Sequence, residues 1–263
     1  MRISWAVWDI FWEDKEANFK VVREFALQAK KQEAELMVLP EMFATGFTVA
    51  VDRVGEEVNA KTYPFLKNLA IDTKIAILGG FAERQGDRVY NVVYLFDADG
   101  SVTGPYAKIH PFRYGGEAER FTGGENLLVF PFRDFIICPL ICYDLRFPEL
   151  FLAAVNMNAE LFIIPANWPS QRKGHWKTLL KARAIETQSF VLGVNRIGSA
   201  EGIDYNGDSM LIAPDGSVLF KSGNIAGLFT VEIDRELLDT WRSRFPALMD
   251  KRPEVYRNLG VWI

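Results

Sequence analysis

The chain has 263 residues, 49% of them hydrophobic and 13% aromatic, so core material is ample; single sandwiches and barrels reach this size. The net charge is -4 with both signs interspersed and no basic block, which argues against nucleic acid or an acidic membrane surface as a partner. No apolar run approaches the ~18 residues that a membrane span needs, and the opening MRISWAVWDIF, with Asp9 in it and no cleavage site, reads as a first strand.

Residues 3–7 are strand-like. Residues 14–31 place Phe19, Val22, Ala26 and Ala29 on one face of an amphipathic helix. The short apolar strand 35–40 runs into PEMFATGF, so Glu41 stands at its terminus; taken alone, such a residue is a solvated loop carboxylate. Residues 57–71 are a second helix candidate. Residues 74–81 form a buried strand whose two glycines permit tight turning or close approach. Strand 89–96, with Asn91 at its start, turn 97–100 and return arm 102–108 make a hairpin. Lys108 then lies just before an irregular stretch, YAKIHPFRYGGEAERFTGG, of the kind that is often functional. Within it Glu117 alone is a loop charge, and His110 before Pro111 a structural histidine.

The apolar run 135–141 reads as a strand that changes character at Cys142. Pro148 suits the first turn of a helix, and Leu150, Phe151, Ala154 and Val155 recur at helical spacing. Cys142 is therefore predicted at a strand-to-helix turn, exposed at the sheet edge and near amide N–H groups that can hold an oxyanion. The competing reading is a small buried hydrophobe. A strand at 161–166 ends in Asn167-Trp168-Pro169, and a helix spans 173–187. A strand at 190–194 ends in Asn195-Arg196. Strands 207–213 and 218–220 form a hairpin, 227–233 is the last strand, and Asp234 caps a helix through Trp241. The tail to residue 263 is expected to pack on a partner. No linker, domain boundary or repeat is visible, so 1–263 read as one domain.

The alternation of strands and helices predicts an α/β fold with helices on the sheet faces. The two cysteines, Cys138 and Cys142, would lie roughly 13 Å apart on an extended strand, beyond the reach of a disulfide. Free thiols suit a reducing cytoplasm. Two Cys and two His supply a zinc site poorly, and no glycine-rich phosphate fingerprint follows a strand, so no cofactor is indicated. Glu41, Lys108 and Cys142 all fall at predicted strand ends, where sites assemble in α/β sheets.

With these residues in view, the sequence resembles the nitrilase (carbon–nitrogen hydrolase) superfamily over nearly its whole length. LPEMFATGF, YAKI and LICYDLRFPEL match the motifs that carry the family's glutamate, lysine and cysteine. LICYDLRFPEL, with PANWP and HWKTLLKARAIETQ after it, resembles the ω-amidase branch most, and GDSMLIAPDGSVL resembles the family's late hairpin. The resemblance implies a four-layer α-β-β-α sandwich, a homodimer, and a small amide as substrate. One departure is visible: the family's first strand commonly ends in Gln, and Val7-Trp8-Asp9 stands there instead.

The chemistry expected of these residues is amide hydrolysis. Cys142 is the nucleophile, Glu41 the base and then acid, and Lys108 the oxyanion partner, helped by the Tyr143 backbone N–H. The resemblance adds Glu117 as the residue that orients Lys108 and substrate. Arg146 has the planar fork that suits a carboxylate, as an ω-amide such as α-ketoglutaramate or α-ketosuccinamate would present; a surface helix-start Arg is the alternative. Trp168 and Arg172 follow another strand end and are expected to line the same pocket, with core packing the alternative for Trp168. Three rival readings stand beside this one: a Cys–His hydrolase using His110 or His175, a metabolite-binding member without catalysis, and another C–N hydrolase acting on a carbamoyl, simple amide or nitrile substrate.

Overall fold

The computed structural model describes residues 1–260. Strand β1 (Arg2–Val7) leads into helix α1 (Lys15–Lys31), whose first turn is capped by Asp14 accepting the Ala17 N–H. Then come β2 (Leu36–Val38), the single turn α2 (Val51–Val54) and α3 (Thr62–Thr73). The strands β3 (Ala76–Gln85), β4 (Arg88–Phe96) and β5 (Val102–Ala107) pair antiparallel in succession. After a loop carrying α4 (Glu117–Arg120), β6 (Phe130–Phe132) and β7 (Phe135–Pro139) make a hairpin. The parallel part follows as α5 (Pro148–Asn156), β8 (Leu161–Ala166), α6 (Lys173–Thr187) and β9 (Phe190–Asn195). The chain continues through a small hairpin of β10 (Ile197–Ala200) and β11 (Ile203–Asn206), then β12 (Met210–Ile212), β13 (Val218–Lys221) and β14 (Gly227–Glu232). Helices α7 (Arg235–Arg244) and α8 (Pro253–Asn258) close it.

Two mixed six-stranded sheets result, in the orders β14-β1-β2-β3-β4-β5 and β13-β12-β9-β8-β7-β6. Alternation along the strands explains the layering. Ile3, Trp5 and Val7 of β1 join Ile137, Phe162 and Leu192 of the second sheet in one buried cluster, which also takes in Phe151 of α5 and Trp176 and Leu180 of α6. The opposite face of the first sheet presents Ala6, Met37, Ile77 and Tyr94 to Phe19 and Val22 of α1 and Leu66 and Leu69 of α3. The architecture is thus α-β-β-α, with helices outside and the two sheets face to face. Gly80 shows why a glycine was needed in β3: a Cβ there would sit 1.9 Å from the Val92 carbonyl oxygen of β4.

Several boundaries differ from expectation. The second helix begins at Thr62 rather than 57, because the buried Glu56 carboxylate takes the Lys61 and Thr62 N–H groups and so caps it there. The seven-residue apolar run forms a strand only to Pro139. The strand expected at 207–213 shrinks to Met210–Ile212, since Gly207 and Asp208 turn at φ +63° and +54°. The β10–β11 hairpin was not anticipated. Helix α7 runs to Arg244, three residues past Trp241. Of the tail expected to meet a partner, Phe245, Met249 and Leu259 are exposed; residues 261–263 lie outside the described residues.

Candidate active site

Three loops at the ends of β2, β5 and β7 meet over the gap between the sheets. Lys108 is the first residue past β5, held there by its own N–H on the Asn91 carbonyl at 2.9 Å. Its ammonium lies 2.9 Å from Glu41 Oε1 and 2.8 Å from Glu117 Oε2, with all three side chains sealed from solvent. Burial alone would lower the lysine's pKa, but the Glu117 and Glu41 carboxylates outweigh it and hold it well above the ordinary value. Burial, opposed by Lys108 and seconded by Glu41, pushes the Glu117 carboxyl up.

Each carboxylate is held on both oxygens. Glu41 Oε1 also accepts from Asn91 Nδ2 at 2.9 Å, and Oε2 accepts the Asn167 backbone N–H at 2.8 Å. Glu117 Oε1 accepts from the same Asn91 amide at 3.0 Å, and Oε2 accepts the Phe112 N–H at 2.6 Å. Asn91 and Asn167 were not singled out as site residues. Their signal was available: a lone amide in the apolar strand 89–96, and another one residue past an apolar strand end. Asp9, which stands near the position where the family commonly has Gln, pairs with Arg196 at 2.6 Å.

Cys142 was expected at an exposed sheet edge; it is instead 9% exposed. Phe47, Phe112 and Trp168 from three other loops line the same cavity as the thiol. Its φ of +45° is uncommon for a side-chain-bearing residue, and a one-turn 3₁₀ helix, Cys142–Arg146, starts from it. The buried Asp144 carboxylate pins this turn by accepting from the Ile141 and His110 N–H groups at 3.1 and 2.9 Å and from the Tyr106 hydroxyl at 2.7 Å. Burial first, then the Glu41 carboxylate, push the Cys142 thiol well up, while Lys108 pulls the other way. The Tyr143 N–H has no acceptor among the described residues.

A cavity of about 740 Å³ opens above Cys142, lined also by Glu41, Lys108, Tyr143, Arg146, Trp168 and Arg172. Glu117 does not line it; it stands behind Lys108. Arg146 is not a free surface residue. Its guanidinium lies 4.8 Å from the Trp168 ring and 5.7 Å from that of Tyr143, and both terminal nitrogens are 3.3 Å from His175 Nδ1. Arg172 lies over the Phe112 and Tyr114 rings at 5.4 and 5.9 Å. Trp168 is both core and wall: it is 3% exposed and packs on Trp176 at 5.3 Å. Neither histidine lines the cavity. His110 Nδ1 is 3.0 Å from Asp144 and its ring stacks on Phe147, so a Cys–His pair is not formed.

Such an arrangement, a buried thiol beside a carboxylate–ammonium–carboxylate cluster between two sheets, defines a thiol hydrolase of acyl–nitrogen bonds. The family model for carbon–nitrogen hydrolases matches residues 2–243, and the chain belongs to that family. It is 34% identical over 256 residues to the 2-oxoglutaramate amidase of Bacillus subtilis (strain 168), covering 97% of this chain and 98% of that one. It is 35% identical over 246 residues to the omega-amidase YafV of Yersinia enterocolitica, covering 92% and 93%. Among solved structures, the CN-hydrolase superfamily protein XC1258 of Xanthomonas campestris, which carries an arsenic adduct in its active site, superposes with a TM-score of 0.91 at 33% identity over 96% of this chain and 97% of that one. The protein is an enzyme of the amidase kind with a cysteine nucleophile.

Proposed function

We propose that this enzyme hydrolyses the terminal amide of short dicarboxylic monoamides, such as α-ketoglutaramate or α-ketosuccinamate, to the acid and ammonia through a thioester on Cys142. The observation that carries the substrate class is the pair Arg146 and Arg172. Both line the cavity with Cys142, and no carboxylate of the described residues pairs with either. Burial first, and then the Arg172 charge, lower the Arg146 pKa. Two guanidinium groups that face one cavity without a carboxylate partner call for an anionic ligand, and a carboxylate meets the planar fork with two hydrogen bonds. The 2-oxoglutaramate and ω-amidase relatives support the same class.

In this reading Cys142 attacks the amide carbon while its proton passes to Glu41. The oxyanion forms against the Lys108 ammonium and the free Tyr143 N–H. Glu41 then returns the proton to the amide nitrogen, the C–N bond breaks, and ammonia leaves a thioester. Water attacks that thioester, giving a proton to Glu41, and the thiolate departs and is reprotonated. Glu117 keeps Lys108 charged and placed. Trp168 and Tyr143 carry the ring faces on which Arg146 rests. We also propose one domain over 1–263, a homodimer, and a cytoplasmic location, since the thiols are unpaired. Among the described residues no helix is long and apolar enough to cross a membrane.

The test is an ammonia-release panel of ω-amides, carbamoyl amino acids, simple amides and nitriles. Highest kcat/KM on a carboxylate-bearing ω-amide is expected. Highest turnover of a neutral amide, a carbamoyl compound or a nitrile overturns the substrate assignment while leaving the thiol mechanism in place.

A further inference from the structure

The β10–β11 hairpin belongs to neither six-stranded sheet. Along β11 only Tyr205 turns inward: it is 3% exposed while Ile203 and Asp204 face solvent. Its ring lies 4.7 Å from the Arg196 guanidinium, and it lines the cavity together with Cys142, Glu41 and Arg172. Its hydroxyl has no partner among the described residues and is not sealed off, so it opens into the cavity. Burial pushes its ionisation up to about 12 in spite of Arg196 beside it, which leaves a neutral O–H donor at working pH. Buried phenols nearly always find a hydrogen-bond partner. A donor left unmet by the protein, at the wall of a substrate cavity, is a donor for the substrate.

Its surroundings define what that partner is. Arg196, paired with Asp9, stands behind its ring, and Arg172 and Arg146 are two cations that line the cavity with it. Of the acids that line the cavity, Glu41 is committed to Lys108 and Asp52 to Arg120 at 2.5 Å, while Glu201 is exposed on the turn between β10 and β11. A group with lone pairs is welcome there, and an ammonium is not.

We propose that Tyr205 is a specificity residue that donates its hydroxyl hydrogen to an oxygen on the carbon next to the substrate carboxylate, so that the enzyme selects 2-oxo ω-amides over 2-amino ones. This rests on the carboxylate reading of Arg146 and Arg172 given above. A 2-oxo group offers Tyr205 an acceptor. A 2-ammonium group, as in an amino acid amide such as glutamine, offers only donors and a like charge. An unsubstituted methylene leaves Tyr205 to water and is indifferent to it.

The experiment compares kcat/KM for 2-oxoglutaramate, glutaramate, glutamine and butyramide in the wild type and in Tyr205→Phe. The phenylalanine removes only a hydroxyl that no described residue uses, so the thermal midpoint should hold. The variant should lose about 10- to 100-fold on 2-oxoglutaramate, chiefly through KM, and change by less than about 3-fold on glutaramate. Glutamine should be poor in both. An unchanged ratio of 2-oxoglutaramate to glutaramate, or an equal loss on both, overturns the role of Tyr205. If the wild type cleaves butyramide as well as glutaramate, the carboxylate reading itself fails, and that result is visible without the variant.

Discussion

Lys108 Nζ and Glu117 Oε2 stand 2.8 Å apart with both side chains sealed from solvent. One ammonium thus serves two buried carboxylates, since Glu41 is its other partner at 2.9 Å. Removing the cation leaves two uncompensated acids in the interior, which costs about 3–5 kcal/mol when one partner of a buried pair is deleted. Lys108→Ala should therefore lower the unfolding free energy by about that amount and kcat by at least about 100-fold. Lys108→Arg should rescue poorly, because a planar fork cannot replace a point charge between two acids. Denaturant unfolding and ammonia release check the two effects. A stable variant with near-normal turnover contradicts both the pairing and its role.

Cys142→Ala should abolish turnover and leave the thermal midpoint within a few degrees of wild type. The residue is small, and alanine meets the same φ of +45° that cysteine already tolerates. Cys142→Ser should also be nearly inactive, because a hydroxyl is a much weaker nucleophile. In Glu41→Gln, mass spectrometry should find an acyl-thioester that forms slowly or is not discharged. Normal acylation and release in that variant would remove Glu41 as the proton carrier.

Stability should fall on the alkaline side. Burial pushes Cys138, Tyr106 and Cys142 all above their ordinary ranges. In the unfolded chain they ionise near about 8.5 for cysteine and about 10 for tyrosine, while the native state still holds their protons. Above about pH 8.5 the unfolded state therefore binds fewer protons, and the unfolding free energy drops as pH rises. Lys108, raised in the native state, adds a loss of the same sign above about pH 10. Urea midpoints at pH 7.5 and pH 10 should show the drop, and Cys138→Ala should reduce the slope. A flat or rising midpoint contradicts the burial assignment.

The strand ends carrying Glu41 and Cys142 were legible because apolar runs stop abruptly at Pro40 and Ile141, and that of Lys108 because the turn residues 97–100 mark a hairpin whose return arm ends there. The motif resemblance supplied the pairing of sheets that periodicity alone could not. Helix α3 was misplaced because its start depends on Glu56, a residue five to six positions upstream whose carboxylate caps it only once the chain has folded back. Burial of Cys142 was not legible either, since the walls of its cavity come from distant positions such as residues 47, 112 and 168. Asn91, Asn167 and Tyr205 look like ordinary strand and turn residues until the fold aims them at Glu41, Glu117 and the cavity.

The central claim, that Arg146 receives the carboxylate of an ω-amide whose other end meets Cys142, is tested by one ratio. The ratio is kcat/KM for glutaramate over that for butyramide, in the wild type and in Arg146→Ala. Leaving a desolvated carboxylate without its charge-assisted partner costs roughly 2–5 kcal/mol, or about 30- to several-thousand-fold. The variant should lose that factor on glutaramate while cleaving butyramide nearly as well as wild type, and Arg146→Lys should recover only part of it. An unchanged ratio, or an equal collapse on both amides, would contradict the claim.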